Sequence, residues 1–342
     1  MLLIGLDEAG YGPRVGPLCH GYCAVRLPDP PEKDSPPDLF ELLHPTVMRY
    51  PANQDSVIVD DSKKVYSTAQ GADLLHRSVK AFLECIKPGL DARIDKLTLE
   101  HLIPESDCTR LEEDSWGCVS LPPCESNNAP PQAIKKSSKA KKTSSTSSES
   151  GAAISCLKEV LSARGVSVLA IGARALSAKH FNRALRTGEN KADINWNVIA
   201  SQFATLLDHA LPGEAVHAWI DRQGGRKFYT GKLGDLFPGA MPWVELETAQ
   251  ASVYRIEYKG RTIRVAFLVN ADGLSMPVAL ASMAAKLTRE LCMERFNHFF
   301  KSHIPTLKPT ACYYGDAQRF LIETRPIRKK LQIQNRELVR LR

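Results

Sequence analysis

The sequence predicts an α/β protein in which a mixed β-sheet is flanked by helices and interrupted by one low-complexity insertion. Apolar runs of strand length alternate along the 342 residues with segments of helical spacing, the pattern of a sheet covered by helices. Two strand-like runs in "SVYRIEYKGRTIRVAFLV" are joined only by Lys259-Gly260, a hairpin turn that makes one pairing antiparallel. Hydrophobic residues make up 43% and charged residues 24%, ordinary proportions for a globular chain long enough to bury a full core.

Taken in order, "LLIGLD" and "GYCAVRL" read as two strands joined by a Gly/Pro turn, and the Pro-rich "LPDPPEKDSPPD" as a loop leading to "VIVDDSKK". "GADLLHRSVKAFLECI" reads as a helix. Residues 105–150, dense in Ser, Pro and Lys, read as a disordered insertion that buries too little apolar surface to offset its ordering entropy. "INWNVIASQFATLLDHAL" is helical, with Ile194, Val198, Phe203 and Leu207 near one face. "EAVHAWID" is a strand ending on an acid before Gly224 and Gly225. A long helix runs from Pro277 to Phe300, with Leu280, Ala284, Leu287 and Leu291 on one face. No internal repeat is present.

The formal charge of +7 is unevenly spread. Residues 325–342 contribute +6 and "KKSSKAKK" at 135–142 contributes +5, which leaves the remainder mildly acidic. A polyanionic partner would be drawn by these local bases. The N-terminus has no basic flank and only a five-residue apolar run, so no signal peptide is expected, and no stretch is long enough to span a bilayer. Nine cysteines without a CxxC pair point to reduced thiols, and the expected location is the cytoplasm. Cys19, His20 and Cys23 read as strand residues, because no second half completes a zinc site. His217 reads as structural too.

Three separate apolar runs end on an acid and then a glycine or turn: Asp7-Glu8, Asp221, and Asp272-Gly273. Ligands of open α/β sheets gather at strand ends, so these four acids could converge there. Asp7 and Glu8 share a site only if their strand ends or bends between them. Four bunched carboxylates would repel, and two divalent cations would cancel that charge. Oxygen-only donors suit Mg²⁺ or Mn²⁺. On spacing alone, scattered surface acids remain the other reading.

"GLDEAGYGPRVGPL" resembles the opening of type 2 ribonuclease H, the ribonuclease HII family. "DDSKKVYS", "INWNVIASQFATLL", "VNADGLSMPVALASMAAKLTRE" and, more loosely, "YYGDAQRFL" are similar to later family segments, in family order. The resemblance implies a ribonuclease H-like catalytic domain over residues 1–324, with the insertion at about 105–150, followed by a basic tail at 325–342. It implies that Asp7, Glu8, Asp221 and Asp272 are both the catalytic and the metal-binding residues for two divalent cations, Mg²⁺ or Mn²⁺. The reaction implied is endonucleolytic hydrolysis of RNA paired to DNA, or of ribonucleotides embedded in duplex DNA, leaving 5′-phosphate and 3′-hydroxyl ends. Nucleic acid is the partner implied; no membrane is expected, and no protein partner is named by the sequence.

Carried over by position, Gly10, Tyr11 and Gly12 would meet the ribose–phosphate, and Lys63 and Lys64 would meet phosphate. Ser282, Lys286 and Arg289 lie on one helical face and would also contact phosphate, with Tyr313 beside the ribose. Two residues depart from the pattern: Tyr11 stands where the family has Arg, and Asn270 where it has Lys. Loss of two cations should weaken binding or shift the junction cut, and Tyr11→Arg is expected to tighten hybrid binding. Two alternatives follow: a related metal nuclease with altered substrate choice, and a catalytically silent nucleic-acid binding protein.

Overall fold

The computed structural model describes residues 1–28, 36–51, 56–67, 71–86, 96–117 and 146–341. Its strands are β1 (Leu2–Ala9), β2 (Leu18–Arg26), β3 (Val47–Met48), β4 (Val57–Ile58), β5 (Ser167–Leu176), β6 (Val216–Asp221), β7 (Trp243–Glu247), β8 (Ala251–Tyr258) and β9 (Arg261–Leu268). β3 and β4 pair with each other; the other seven form one mixed sheet in the order β5-β2-β1-β6-β9-β8-β7. β1, β6 and β9 are adjacent and parallel, so their C-terminal ends lie along one edge of the sheet. Antiparallel strands extend this core on both sides.

Period-two alternation in β1 divides its side chains between two cores. Leu3 faces the long helix Met276–His303, while Leu2, Ile4 and Leu6 pack with Trp196, Ile199 and Phe203 of the helix Lys191–Leu207. The long helix is buried on more than the expected face: besides Leu280, Ala284, Leu287 and Leu291, its Val278, Ala281, Met283 and Ala285 are also buried. It lies against the sheet with helices packed behind it, which is why its sequence is apolar nearly all round at its N-terminal half. The predicted helix Gly71–Ile86 and the 259–260 turn both form; Lys259 and Gly260 take φ of 49° and 72°, as a type I′ hairpin requires.

The long helix approaches the sheet so closely that a Cβ on Gly21 would stand 1.8 Å from the Ala281 carbonyl oxygen. Backbone on both sides leaves nothing flexible to yield. Gly21→Ala is therefore expected to cost about 3 kcal/mol or more of stability, read as a lowered urea midpoint with unchanged m-value.

Two sequence expectations need correction. Residues 105–117 are not part of a disordered insertion: Glu105–Glu112 is a helix, followed by a turn that buries Trp116. Asp107, 2% exposed, accepts hydrogen bonds from Arg174 Nε at 2.7 Å, Arg174 Nη2 at 2.9 Å and the Ala175 amide at 3.0 Å. Trp116 meets Phe296 edge to face at 5.7 Å. These few anchors offset the ordering entropy that average composition suggested would prevail. At the other end of the insertion, 146–150 belong to the helix Thr146–Ala163; residues 118–145, including the Ser/Lys run, lie outside the described residues.

Residues 325–341 are likewise no loose tail. They form helices Arg325–Lys330 and Asn335–Leu338, and then Val339 bridges to Val15. Arg328, Leu338 and Arg340 are buried. Arg328 donates to Thr324 Oγ1 and the Leu321 carbonyl, so its charge is held by oxygen acceptors.

Candidate active site

The sheet edge where β1, β6 and β9 end carries all four acids of the sequence motif. Asp7 and Glu8 lie on the last turn of β1, whose pairing with β6 stops at Leu6 although its pairing with β2 continues to Ala9. Asp221 is the last residue of β6, and Asp272 sits in the single 3-10 turn Ala271–Gly273 that follows β9. Alternation puts Asp7 on the long-helix side, where it hydrogen-bonds Ser282, and Glu8 on the other side, within reach of the Lys63 and Lys191 charges.

Each carboxyl is held by a local amide. The Glu8 amide donates to Asp7 Oδ1 at 2.7 Å, the Ala271 amide to Asp221 Oδ1 at 2.9 Å, and the Gly273 amide to Asp272 Oδ1 at 2.9 Å. Their acidities show that they share one field. Burial and the Asp221 and Glu8 charges hold Asp7 well above the usual carboxylate range. Burial and Asp221 push Glu8 up to about 8. Asp221 rises to about 6 through burial, against the Ala271 amide bond, with Asp272 adding repulsion. Burial and Asp61 raise Asp272. Lys63 lowers Glu8, Asp221 and Asp272, and does not outweigh burial.

In kind, this donor set fits a hard divalent cation: every donor is oxygen, and Glu8 Oε2 is buried with no hydrogen-bond partner. Among the described residues no three His, Cys, Asp or Glu side chains are drawn together tightly enough to form a ready cation site. The four carboxyls thus neighbour one another without closing into a cluster, as mutually repelling groups do.

The glycine loop is built from distant parts of the chain. Gly10 has φ of 89°, and a Cβ there would come within 2.5 Å of Arg289 Nε. Arg340 Nη2 donates to the carbonyls of Gly10 and Pro13, and the Arg340 amide donates to the Arg14 carbonyl at 2.7 Å. Gly12 is open, with nothing near its missing Cβ. Tyr11 is clamped: Lys191 Nζ donates to its carbonyl at 3.0 Å and lies 3.8 Å over its ring. Sequence reading missed Lys191 and Arg340, which act on the loop from 180 and 330 residues away and carry no local signal.

The expected Ser282–Lys286–Arg289 stripe is not a solvated cationic face. Ser282 is buried and 3.0 Å from Ser62 Oγ; Lys286 Nζ is 2.6 Å from Glu290 Oε1 and over the Tyr66 ring. Arg289 is 4% exposed, with Nε and Nη2 unpartnered. Lys63 is exposed beside the acids, whereas Lys64 pairs with Asp60 at 3.4 Å. Tyr313 is 65% exposed, so its ring is not a packed core tyrosine. Asn270 takes φ of 56° in the turn before Asp272, a left-handed conformation that asparagine tolerates. His20 is structural as expected: its Nε2 meets Asn195 Oδ1 at 2.5 Å, and burial lowers it to about 4.

No protein-family model matches the sequence, and no curated protein matches it. Solved structures do. The similar structures are type 2 ribonucleases H. Bst-RNase HIII in complex with Mn²⁺ is 14% identical over all of this chain and 66% of its own, with a TM-score of 0.45. RNase HII of Archaeoglobus fulgidus, solved in its PCNA complex, is 14% identical over all of this chain and 95% of that one, with a TM-score of 0.39. The ribonuclease H2 of Pyrococcus horikoshii OT3 is 13% identical over 99% and 92%, with a TM-score of 0.39.

The Lys191 clamp reverses the expectation for position 11. An arginine there would lose the ring under Lys191 and place a second cation beside that ammonium and Arg340. Tyr11→Arg is expected to lower stability by about 1 kcal/mol and to leave hybrid affinity no tighter than wild type. Urea denaturation and a binding titration at one salt concentration check this.

Proposed function

We propose that this protein is a divalent-metal-dependent endonuclease that hydrolyses the RNA strand of RNA/DNA hybrids or ribonucleotides embedded in duplex DNA. One observation carries the reading: four mutually coupled carboxyls meet where three adjacent parallel strands end. Scattered surface acids would not share a field in this way. Asp7, Glu8, Asp221 and Asp272 would hold Mg²⁺ or Mn²⁺, which supplies Lewis acidity and charge cancellation at a phosphodiester.

The chain's own groups set the rest. Ser282 and the Glu8 amide fix the Asp7 carboxyl, while the Ala271 and Gly273 amides fix Asp221 and Asp272, so these acids are oriented before substrate arrives. Lys63 is the exposed cation next to the acids and would take a phosphate oxygen. Gly12 lets a ribose approach the backbone closely, and the exposed Tyr313 ring offers a face for sugar or base.

The test is a cleavage assay on a long RNA/DNA hybrid, a DNA duplex with one ribonucleotide and plain DNA, each with Mg²⁺ or Mn²⁺. Cutting of the first two, and not the third, is expected. Cutting of plain DNA would mean altered substrate choice. Binding to all three with no cutting would mean a silent binding protein.

A further inference from the structure

A second constellation of charge lies away from the acids. The helix Ala178–Arg186 carries Lys179, Arg183 and Arg186 on one face, at spacings of four and three. Arg336, from the short helix Asn335–Leu338, stands across from them, and the four bases line a cavity of about 200 Å³ together with Asn182 and Glu337.

Acids nearby do not neutralise it. Glu337 is occupied elsewhere: Oε1 accepts from the Gln334 amide at 2.9 Å and Oε2 from Ser115 Oγ at 3.4 Å. Glu113 is shared among Lys179 at 3.9 Å, His180 at 3.3 Å and Arg183 at 3.7 Å, too many cations for one carboxylate. Arg186 and Arg336 have no ion-pair partner among the described residues. Basic side chains in the last turn of a helix do favour its macrodipole, and that accounts for Arg183 and Arg186 on their own. It does not account for Arg336, which comes from another segment and adds like charge.

The walls are fixed. Asn182, 2% exposed, donates through Nδ2 to the carbonyls of Arg336 at 2.7 Å and Val339 at 2.8 Å, and its Oδ1 accepts from the Leu341 amide at 2.8 Å. The segment so anchored turns Arg336 to this cavity and, four residues on, Arg340 to the Gly10 loop. Cavity and glycine loop are thus joined by one short stretch of chain.

We propose that this cavity binds a backbone phosphate of the duplex nucleic acid whose strand lies at the acids, away from the bond that is cut. This rests on the proposed function for its choice of ligand, and adds a site to it. Guanidinium groups suit phosphate through paired N–H donors, and a rigid cationic cavity fixes the register of a duplex without reading its sequence.

The test compares wild type, the double variant Arg186→Gln/Arg336→Gln, and a control double variant Arg255→Gln/Lys259→Gln on the β8–β9 hairpin. Binding to an RNA/DNA hybrid and to plain DNA duplex is titrated over a salt series in a chelator, so that no cleavage is required. For Arg186→Gln/Arg336→Gln the slope of log K against log salt is expected to flatten by about 2, since each phosphate contact contributes roughly 0.9. Its thermal midpoint should match wild type and the control slope should not change. An unchanged slope, equal flattening in the control, or no duplex binding by wild type would each overturn the proposal. A wild type that binds with the expected slope changes yet cuts nothing would instead overturn the nuclease reading and leave this one standing.

Discussion

Replacing Asp7 by Asn is expected to abolish strand cleavage while leaving the fold, in a chelator, at least as stable as wild type. The loss should be well beyond about 100-fold, because even partners one layer outside a metal ligand cost roughly 10–100-fold. Stability should not fall, because the carboxyl being removed is raised far above its ordinary range by burial and by Asp221 and Glu8. A neutral amide keeps an oxygen for the Glu8 amide and removes the repulsion. The pH dependence supplies a second readout. Glu8 titrates at about 8 in the folded protein against an ordinary 4.5, so between those values the folded state binds more protons than the unfolded. Stability in a chelator therefore falls as pH rises from about 4.5 through about 8, and what acid conditions contributed is gone above that range. In Asp7→Asn the decline should be shallower, since one neighbouring charge is missing. Adding Mn²⁺ should raise the wild-type melting temperature at pH 8 more than that of the variant. Equal loss of stability and activity would make Asp7 a structural residue.

Truncation after Gln334 is expected to unseat the glycine loop and lower the melting temperature by roughly 10 °C. Leu338 loses a buried site, worth about 1.5–3 kcal/mol, and Asn182 is left buried without three partners, a further 1–3 kcal/mol. A detachable basic tail would behave otherwise, weakening duplex binding at unchanged stability. The single variant Arg340→Gln separates the two effects. Burial and the neighbouring Arg289 push the Arg340 guanidinium down to about 10, so removing its charge relieves a strain that partly offsets the lost bonds to Gly10 and Pro13. Its melting temperature should stay within a few degrees of wild type while cleavage falls, because the loop that meets the ribose has lost its brace. Melting curves and cleavage rates on the same preparations decide it.

Much of this fold is legible because burial leaves a period in the sequence. β1, the helix Gly71–Ile86 and the Lys259-Gly260 hairpin each bury a defined set of side chains and could be read as such. β7 could not: Trp243–Glu247 is exposed throughout and presents no buried face to set a rhythm. β5 follows a Ser/Lys-rich stretch and was hidden behind it. The four acids were legible from strand ends, and topology brings those ends to one edge. Charge was the poorest guide. Arg289, Arg328 and Arg340 read as surface bases, yet all three are buried by contacts made across long sequence separations, which no local window contains.

The contact between residue 340 and residue 10 also sets an order of events during synthesis. At about 5–20 residues per second, the first strand leaves the ribosome tens of seconds before its brace exists. A nascent chain of 300 residues already holds all four acids and the long helix, but the loop beside them has nothing to close it. Catalytic competence then arrives last, as a property of the finished chain. A prematurely terminated product would carry the acidic residues without a working nuclease, which protects the messenger and template around it from a half-made enzyme.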